Sequence, residues 1–216
     1  MTVWAAVFDL DGTLCDTISD IGASSNRAFA SVGLPTRPVR EYGAFVGYGI
    51  RENLRKAAPP GTAPELLETA VERYLADYPE HCADSTVPYP GILEMLTALC
   101  ERGVRVAVVT NKTEATAQRL IGAILPSVPF AFIWGRREGR SLKPSRELGE
   151  AVSTELGLPP EEILYCGDSE PDVTFAQNAG FRLVAAEWGY RSREVLAAAG
   201  ADCIASAPEE VLDFLN

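Results

Sequence analysis

Two aspartates, Asp9 and Asp11, follow a short apolar run near the start of the chain. The run Val3–Phe8 contains β-branched and aromatic residues and is too short for a helix, which favours a strand buried on both faces. Both aspartates point the same way for as long as the backbone stays extended. Two carboxylates held this close repel each other, so they need a nearby cation or a shared proton. The pair therefore predicts a reactive or cation-binding site, and a solvated turn with two aspartates is the simpler alternative.

Further polar side chains come after later strand-like runs or just ahead of the helical patterns that follow. They are Thr110, Asn111, Lys143, Asp168 and Asp172. In open parallel sheets the carboxyl ends of the strands form one edge, and ligands bind at that edge. We therefore expect these side chains to meet the aspartate pair there.

Each of these side chains also has an ordinary structural explanation when it is taken alone. Thr110 fits a helix cap at the end of a strand, and Lys143 fits a solvated surface lysine. Ser169 and Asp172 have the spacing of a capping box. Only their common order at the ends of strands favours one shared site.

Composition limits the classes of partner. The 216 residues carry a net charge of −11, which disfavours binding to nucleic acid. No apolar stretch reaches the ~20 residues that a membrane-spanning helix needs, and the first residues lack the pattern of a signal peptide. Five scattered cysteines with no C-x-x-C pair indicate reduced thiols. We expect a cytoplasmic monomer or homodimer that acts on a small molecule, with no nucleic-acid or membrane partner.

Strand-like runs alternate with helical patterns along most of the chain. The runs are Val3–Phe8, Val104–Val109, Phe130–Trp134, Ile163–Cys166, Arg182–Ala185 and a weaker Asp202–Ile204. The helical patterns between them close at glycines, among them Gly103, Gly157 and Gly180. This alternation is typical of βα units. We predict a doubly wound, mainly parallel, Rossmann-like α/β sheet.

One long region, residues 16–85, contains helical patterns and no convincing strand. One apolar stripe ends at Gly33, and another starts at Pro64, a residue favoured in the first turn of a helix. The region leaves the sheet at the edge that carries the two aspartates. We predict an inserted α-helical cap subdomain over that edge, with residues 1–15 and 86–216 forming the α/β core.

Taken in order, these motifs resemble those of the haloacid dehalogenase superfamily of phosphatases, over nearly the whole chain. The motifs are Asp9–Leu14, Thr110, Lys143 with Pro144, and Gly167–Asp172; Tyr89–Gly91, Val109–Lys112 and Trp188–Tyr190 resemble the phosphoglycolate phosphatase branch. Members often have a second proline where this chain has Arg146. The basic loop Gly135–Arg140 is a second departure, and the resemblance assigns it no role.

The resemblance implies a Mg2+ site and covalent chemistry on phosphate. Asp9 and Asp168 would hold Mg2+ together with the backbone carbonyl of Asp11, and Asp172 would contact these ligands rather than the ion itself. Asp9 would attack phosphorus and become phosphorylated. Asp11 would protonate the leaving alcohol and later take a proton from water.

The resemblance also implies contacts to the phosphoryl oxygens. Lys143 would offset their charge and orient two of the carboxylates. Thr110 and Asn111, with nearby backbone N–H groups, would hold the oxygens. Thr13 would brace the loop on which Asp11 moves.

Substrate choice is expected to fall to the cap. The loop Phe45–Arg51 is rich in glycine, so its backbone can approach a ligand closely, and Tyr48 and Arg51 are its candidate specificity residues. An ordinary turn between helices with a solvated arginine explains the loop equally well. We predict a Mg2+-dependent phosphatase for a small, phosphoglycolate-like monoester. A phosphomutase of the same superfamily and a non-catalytic phosphate- or metal-binding regulator remain the alternatives.

Overall fold

The computed structural model describes residues 2–215, which form alternating strands and helices. The strands are β1 Ala5–Phe8, β2 Cys15–Asp16, β3 Val87–Pro88, β4 Arg105–Thr113, β5 Ile133–Arg136, β6 Ile163–Gly167, β7 Arg182–Ala186 and β8 Ile204–Ala205. The helices are α1 Ile18–Ser31, α2 Ile50–Ala57, α3 Pro64–His81, α4 Ile92–Glu101, α5 Glu114–Ile124, α6 Arg146–Leu156, α7 Glu170–Ala179 and α8 Arg193–Ala198. Short 3-10 helices cover Val39–Ala44, Pro160–Glu162 and Pro208–Phe214.

The main sheet has the strand order β5-β4-β1-β6-β7-β8, and every pairing in it is parallel. The sheet is therefore doubly wound around β1, with the chain running outward in both directions. This confirms the predicted α/β architecture. The six predicted strands all exist, although β5 begins three residues later than the apolar run that predicted it.

The core lies on both faces of the sheet because β1 is buried on both sides. Ala6 and Phe8 belong to one apolar cluster, whereas Ala5 and Val7 belong to the cluster on the opposite face. All four side chains are fully buried. The short apolar run at the start of the chain is thus explained by its central position in the sheet.

The helices α1, α2 and α3 occupy the region between β1 and α4, as the sequence predicts. A two-stranded antiparallel sheet, β2 with β3, joins the two ends of this helical region. Asp20 of α1 strengthens the junction, because its carboxylate accepts hydrogen bonds from the backbone N–H groups of Ser85 and Thr86 and from the Thr86 hydroxyl. These two-residue strands are too short to leave a periodic pattern in the sequence.

Several predicted helix ends are confirmed by their caps. Gly157 and Gly180 end α6 and α7 in left-handed conformations that favour glycine. Ser169 and Asp172 form the capping box that opens α7. Among residues 2–215, no helix has the length and apolar character needed to cross a membrane. All five cysteines are free thiols.

Candidate active site

The register of the three central strands brings the predicted residues to one edge. Phe8 of β1 pairs with Val108 of β4 on one side and with Cys166 of β6 on the other. Asp9 follows directly, and Thr110 and Asp168 each come two residues after the paired positions. Parallel pairing therefore positions all three at the carboxyl edge of the sheet.

Lys143 lies at the centre of a buried carboxylate cluster. Its ammonium is 2.8 Å from Asp9 Oδ1 and 2.6 Å from Asp172 Oδ1, and it donates to the Tyr165 hydroxyl at 3.0 Å. Burial opposes the charge, but Asp172 and Asp9 together raise the pKa of Lys143. The lysine is thus a buried, charged bridge between two carboxylates, and the surface-lysine alternative is wrong.

Asp172 has both of its oxygens engaged. Oδ1 accepts from Lys143 and from the Tyr165 hydroxyl at 2.7 Å. Oδ2 accepts from the backbone N–H and hydroxyl of Ser169, at 3.1 and 2.5 Å. The capping-box explanation of Asp172 is therefore correct. The same hydrogen bonds also fix the carboxylate that pairs with Lys143.

Asp168 is held by groups on two different loops. The Thr13 hydroxyl donates to its Oδ1 at 3.1 Å, and the backbone N–H of Tyr190 donates to Oδ2 at 2.8 Å. The Thr13 hydroxyl thus orients Asp168, a contact that the sequence did not predict. Gly12, with φ of +87°, lies so close to Asp168 that a side chain there would collide with the carboxylate. The turn formed by Gly12 and Thr13 therefore leaves room for the Asp168 carboxylate and donates a hydrogen bond to it.

Burial and mutual repulsion disfavour the charges of this cluster. Burial raises the pKa of Asp9 to about 6, helped by Asp172 and Asp11, while Lys143 opposes the shift. Burial and the charges of Asp172 and Asp9 hold the pKa of Asp168 well above its usual value. Three buried carboxylates share one buried ammonium, so the cluster carries excess negative charge.

This donor set fits a divalent cation with a preference for oxygen. One carboxylate oxygen from each of Asp9, Asp168 and Asp172 lies within 4.8 Å of the others. Such hard oxygen donors suit Mg2+. Each oxygen of Asp172 already accepts two hydrogen bonds, whereas each oxygen of Asp168 accepts one. Asp9 and Asp168 are therefore the better direct ligands and Asp172 the better support.

Asp11 faces a cation that the sequence interpretation missed. Its Oδ1 is 2.5 Å from the Lys112 ammonium, which also lies 4.6 Å from the centre of the Tyr78 ring on α3. Lys112 is two residues beyond Thr110 on β4, so both share one face of the strand. The alternation of side chains along β4 could have indicated that Lys112 faces the site. This signal was weak because β4 was expected to end at Val109, whereas it continues to Thr113.

Asn111 is bound to backbone on every side. Its amide NH2 donates to the carbonyls of Gly47 and Lys143, at 2.9 and 3.1 Å, and its oxygen accepts from the Lys143 N–H at 2.9 Å. Both hydrogens of the Asn111 side-chain amide are engaged, so this side chain cannot donate to a phosphate as the sequence predicted. Its role is to position the neighbouring loops. It ties the Lys143 loop to the glycine-rich loop of the helical region.

The two expected specificity residues lie away from the cavity at this edge. Arg51 forms an ion pair with Glu68 of α3, and its side chain is 52% exposed. Tyr48 is also exposed, and the Lys56 ammonium lies 3.6 Å from the centre of its ring. Both side chains therefore contact residues of the helical region, Arg51 on α3 and Tyr48 on α2. Neither is among the cavity-lining residues.

A cavity of about 50 Å3 lies between the sheet edge and the helical region. Asp9, Asp11, Thr110 and Lys112 line it from the sheet. Thr110 accepts a hydrogen bond from the Lys112 N–H at 3.3 Å, and this contact replaces the helix-cap alternative. A volume this small has room for a small ligand or a few waters.

The glycine-rich loop over the cavity is anchored by a core arginine. Arg191 is 7% exposed and donates to the carbonyls of Gly43 and Val46, at 2.6 and 2.9 Å. Its third contact is an ion pair with Glu170 at 2.8 Å. Together with Asn111, this arginine holds the loop against the sheet edge.

Fold, site and comparison with known proteins agree on a class: a hydrolase built on an open α/β sheet. Residues 6–186 match the model of the haloacid dehalogenase-like hydrolase family, and the chain belongs to that family. The phosphoglycolate phosphatase of Chromobacterium violaceum is 31% identical over 98% of this chain and 96% of its own. The N-acetylmuramic acid 6-phosphate phosphatase of Pseudomonas aeruginosa is 33% identical over 100% of this chain and 96% of its own. A solved structure from Lactobacillus delbrueckii has a TM-score of 0.92 at 29% identity, and the match covers 100% and 99% of the two chains.

Proposed function

We propose that this protein is a Mg2+-dependent phosphatase for a small phosphate monoester of the phosphoglycolate type. The observation that carries the proposal is the buried pairing of Asp9 with Lys143 at 2.8 Å beside Asp168. A carboxylate held in this way is oriented for nucleophilic attack. The relatives named as phosphatases support the reaction class, whereas their different substrates at similar identity leave the alcohol part open.

In the proposed reaction an oxygen of Asp9 attacks phosphorus, and the bond from phosphorus to the ester oxygen breaks. Asp11 donates its proton to that oxygen, so the alcohol leaves neutral. Water then attacks the phosphorylated Asp9 at phosphorus and gives a proton to Asp11. Inorganic phosphate leaves, and both aspartates return to their starting states.

The other cluster residues support this chemistry by charge and position. Lys143 orients Asp9 and offsets the negative charge of the phosphoryl oxygens. Thr110 lines the cavity and would contact those oxygens. The carboxylates of Asp9 and Asp168 and the backbone carbonyl of Asp11 would hold Mg2+. The bound ion supplies positive charge to the phosphoryl group and to the carboxylates that surround it.

We also propose that residues 16–85 form a cap domain and that residues 1–15 and 86–216 form the catalytic core. The cavity has one wall from each part, including Thr110 from the core and Tyr74 from the helical region. Contacts such as Asn111 to Gly47 join the two parts. A cap in this position would exclude water during the first step.

The test is phosphate release from a panel of small phosphate monoesters with Mg2+, using the wild type and the Asp9→Asn variant. The proposal expects release by the wild type and a loss of at least about 10³-fold in the variant, since the nucleophile is removed. Asp16→Asn is the matched control, because Asp16 lies in β2, five residues after Asp11, and does not line the cavity.

Two outcomes would contradict the proposal. One is an Asp9→Asn variant with more than about a tenth of wild-type activity, which corresponds to less than ~1.4 kcal/mol of barrier. The other is conversion of an ester to its isomer without phosphate release, which would favour a phosphomutase.

A further inference from the structure

The wall that the helical region contributes to the cavity has no charge. Its side chains are apolar or aromatic apart from one amide, and they include Ile21, Ile50, Tyr74, Leu75 and Asn53. Within the described part of the chain, no charged side chain of residues 16–85 lines this cavity. An anionic group on the alcohol part of a substrate would therefore find no cationic partner on this wall.

The opposite wall contains one arginine, Arg136, in the basic loop that the family resemblance leaves without a role. Arg136 is the last residue of β5 and pairs in register with Thr113 at the end of β4. This pairing brings it to the same sheet edge as Lys112, and both residues line the cavity. Arg136 is thus positioned by the sheet, as the last residue of a short edge strand.

The neighbouring arginines of the loop already pair with a carboxylate of this chain. Arg137 lies 3.6 Å from Glu114, and Arg140 pairs with the same carboxylate while its guanidinium lies 4.3 Å from the centre of the Trp134 ring. Among residues 2–215, none forms an ion pair with Arg136. In a chain with a net charge of −11, an unpaired guanidinium at a cavity is a site for an external anion.

We propose that Arg136 selects substrates that carry a second anionic group, of which a carboxylate is the smallest. This inference rests on the proposed phosphatase function and adds the substrate class to it. The phosphoryl group would lie at Asp9 and Lys143, and the second anion would reach across the cavity to the guanidinium. Both groups line the same small cavity, so a short spacer between the two anions would suffice.

The geometry also explains why Arg136 suits this role better than Lys112. The Lys112 side chain is 6% exposed and already pairs with Asp11, so its charge is compensated within the site. The guanidinium of Arg136 is free to form two parallel hydrogen bonds to a carboxylate. Arg51, the cap arginine expected from the sequence, pairs with Glu68 instead.

The experiment compares two matched esters, 2-phosphoglycolate and its neutral amide, with the wild type, Arg136→Gln and Arg137→Gln. The measured quantity is the ratio of kcat/KM for the carboxylate ester to that for the amide. Arg136→Gln should lower this ratio by about 10- to 100-fold, because hydrogen bonds to charged groups contribute on that scale. Arg137→Gln should leave the ratio at its wild-type value, since Arg137 faces Glu114.

Each contrary outcome identifies what fails. If the wild type hydrolyses panel esters but shows no preference for the carboxylate, or if Arg136→Gln leaves that preference intact, Arg136 is not the selector and the phosphatase proposal stands. If the wild type hydrolyses no ester of the panel, the phosphatase proposal fails and this inference fails with it. Because Arg136 is exposed, Arg136→Gln should keep the wild-type melting temperature. Measuring that temperature separates a loss of selectivity from a loss of folded protein.

Discussion

Asp9→Asn should stabilise the metal-free protein although it removes the proposed nucleophile. Asp9 is 4% exposed and lies within a cluster whose negative charges outnumber its positive ones. Its ionised form is therefore costly in the folded chain. Asparagine has nearly the same shape and carries no charge, so the substitution removes that cost and leaves Asp172 to hold Lys143.

The size of the effect follows from the pKa of Asp9. Burial, with Asp172 and Asp11, raises this pKa from its ordinary 3.8 to about 6. The difference corresponds to ~3 kcal/mol of unfolding free energy at pH 7.5, where Asp9 is ionised in both states. We expect metal-free Asp9→Asn to gain up to about that amount.

The dependence on pH has a definite sign. Between pH 3.8 and about 6 the folded wild type binds more protons than the unfolded chain, so its stability falls as pH rises through this window. The advantage of Asp9→Asn should therefore be about half as large at pH 5 as at pH 7.5.

Urea unfolding in the presence of EDTA at pH 5 and 7.5 measures the effect, with Asp16→Asn as control. The Asp16 carboxylate accepts from the Ile18 N–H at 3.2 Å, and asparagine can keep this bond, so no gain is expected there. A metal-free Asp9→Asn that is less stable than the wild type at pH 7.5 would refute the reasoning. It would mean that Lys143 more than compensates for burial.

Four further substitutions test individual parts of the site. Asp11→Asn should lower kcat about 10²- to 10⁴-fold for alkyl phosphates but much less for p-nitrophenyl phosphate, whose leaving group needs no proton; equal losses in steady-state assays would contradict the acid role. Lys143→Met should lower the unfolding free energy in urea by about 3–5 kcal/mol, because it leaves buried carboxylates without their cation; an unchanged midpoint would contradict this. Asp172→Asn should raise the Mg2+ concentration for half-maximal activity by about 10- to 100-fold, and Asp168→Asn should raise it further; the reverse order in a Mg2+ titration would exchange their roles.

The fold was predictable because its signals are local. The apolar run before Asp9 and the glycines that end α6 and α7 each indicate their element without knowledge of the rest. The convergence of Asp9, Thr110 and Asp168 followed from one rule about parallel sheets. Short strands such as β2 were not predicted, because two residues are too few to show an alternating pattern of apolar side chains.

The cations of the cavity were not predictable because they depend on register and on packing between distant segments. Arg136 reaches the cavity only through its pairing with Thr113, beyond an irregularity in the β4–β5 ladder. Arg51 is drawn away by Glu68, which lies on another helix. Lys112 was visible in the sequence but seemed to follow a strand that in fact continues through it to Thr113.

The most direct test of the central claim is to find the phosphoryl group on the protein. The wild type is mixed with an ester that it hydrolyses and Mg2+, quenched in acid during turnover and digested for peptide mass spectrometry. We expect phosphorylation at Asp9 and none in the same peptide of Asp9→Asn. Steady phosphate release with an unmodified Asp9 would contradict it.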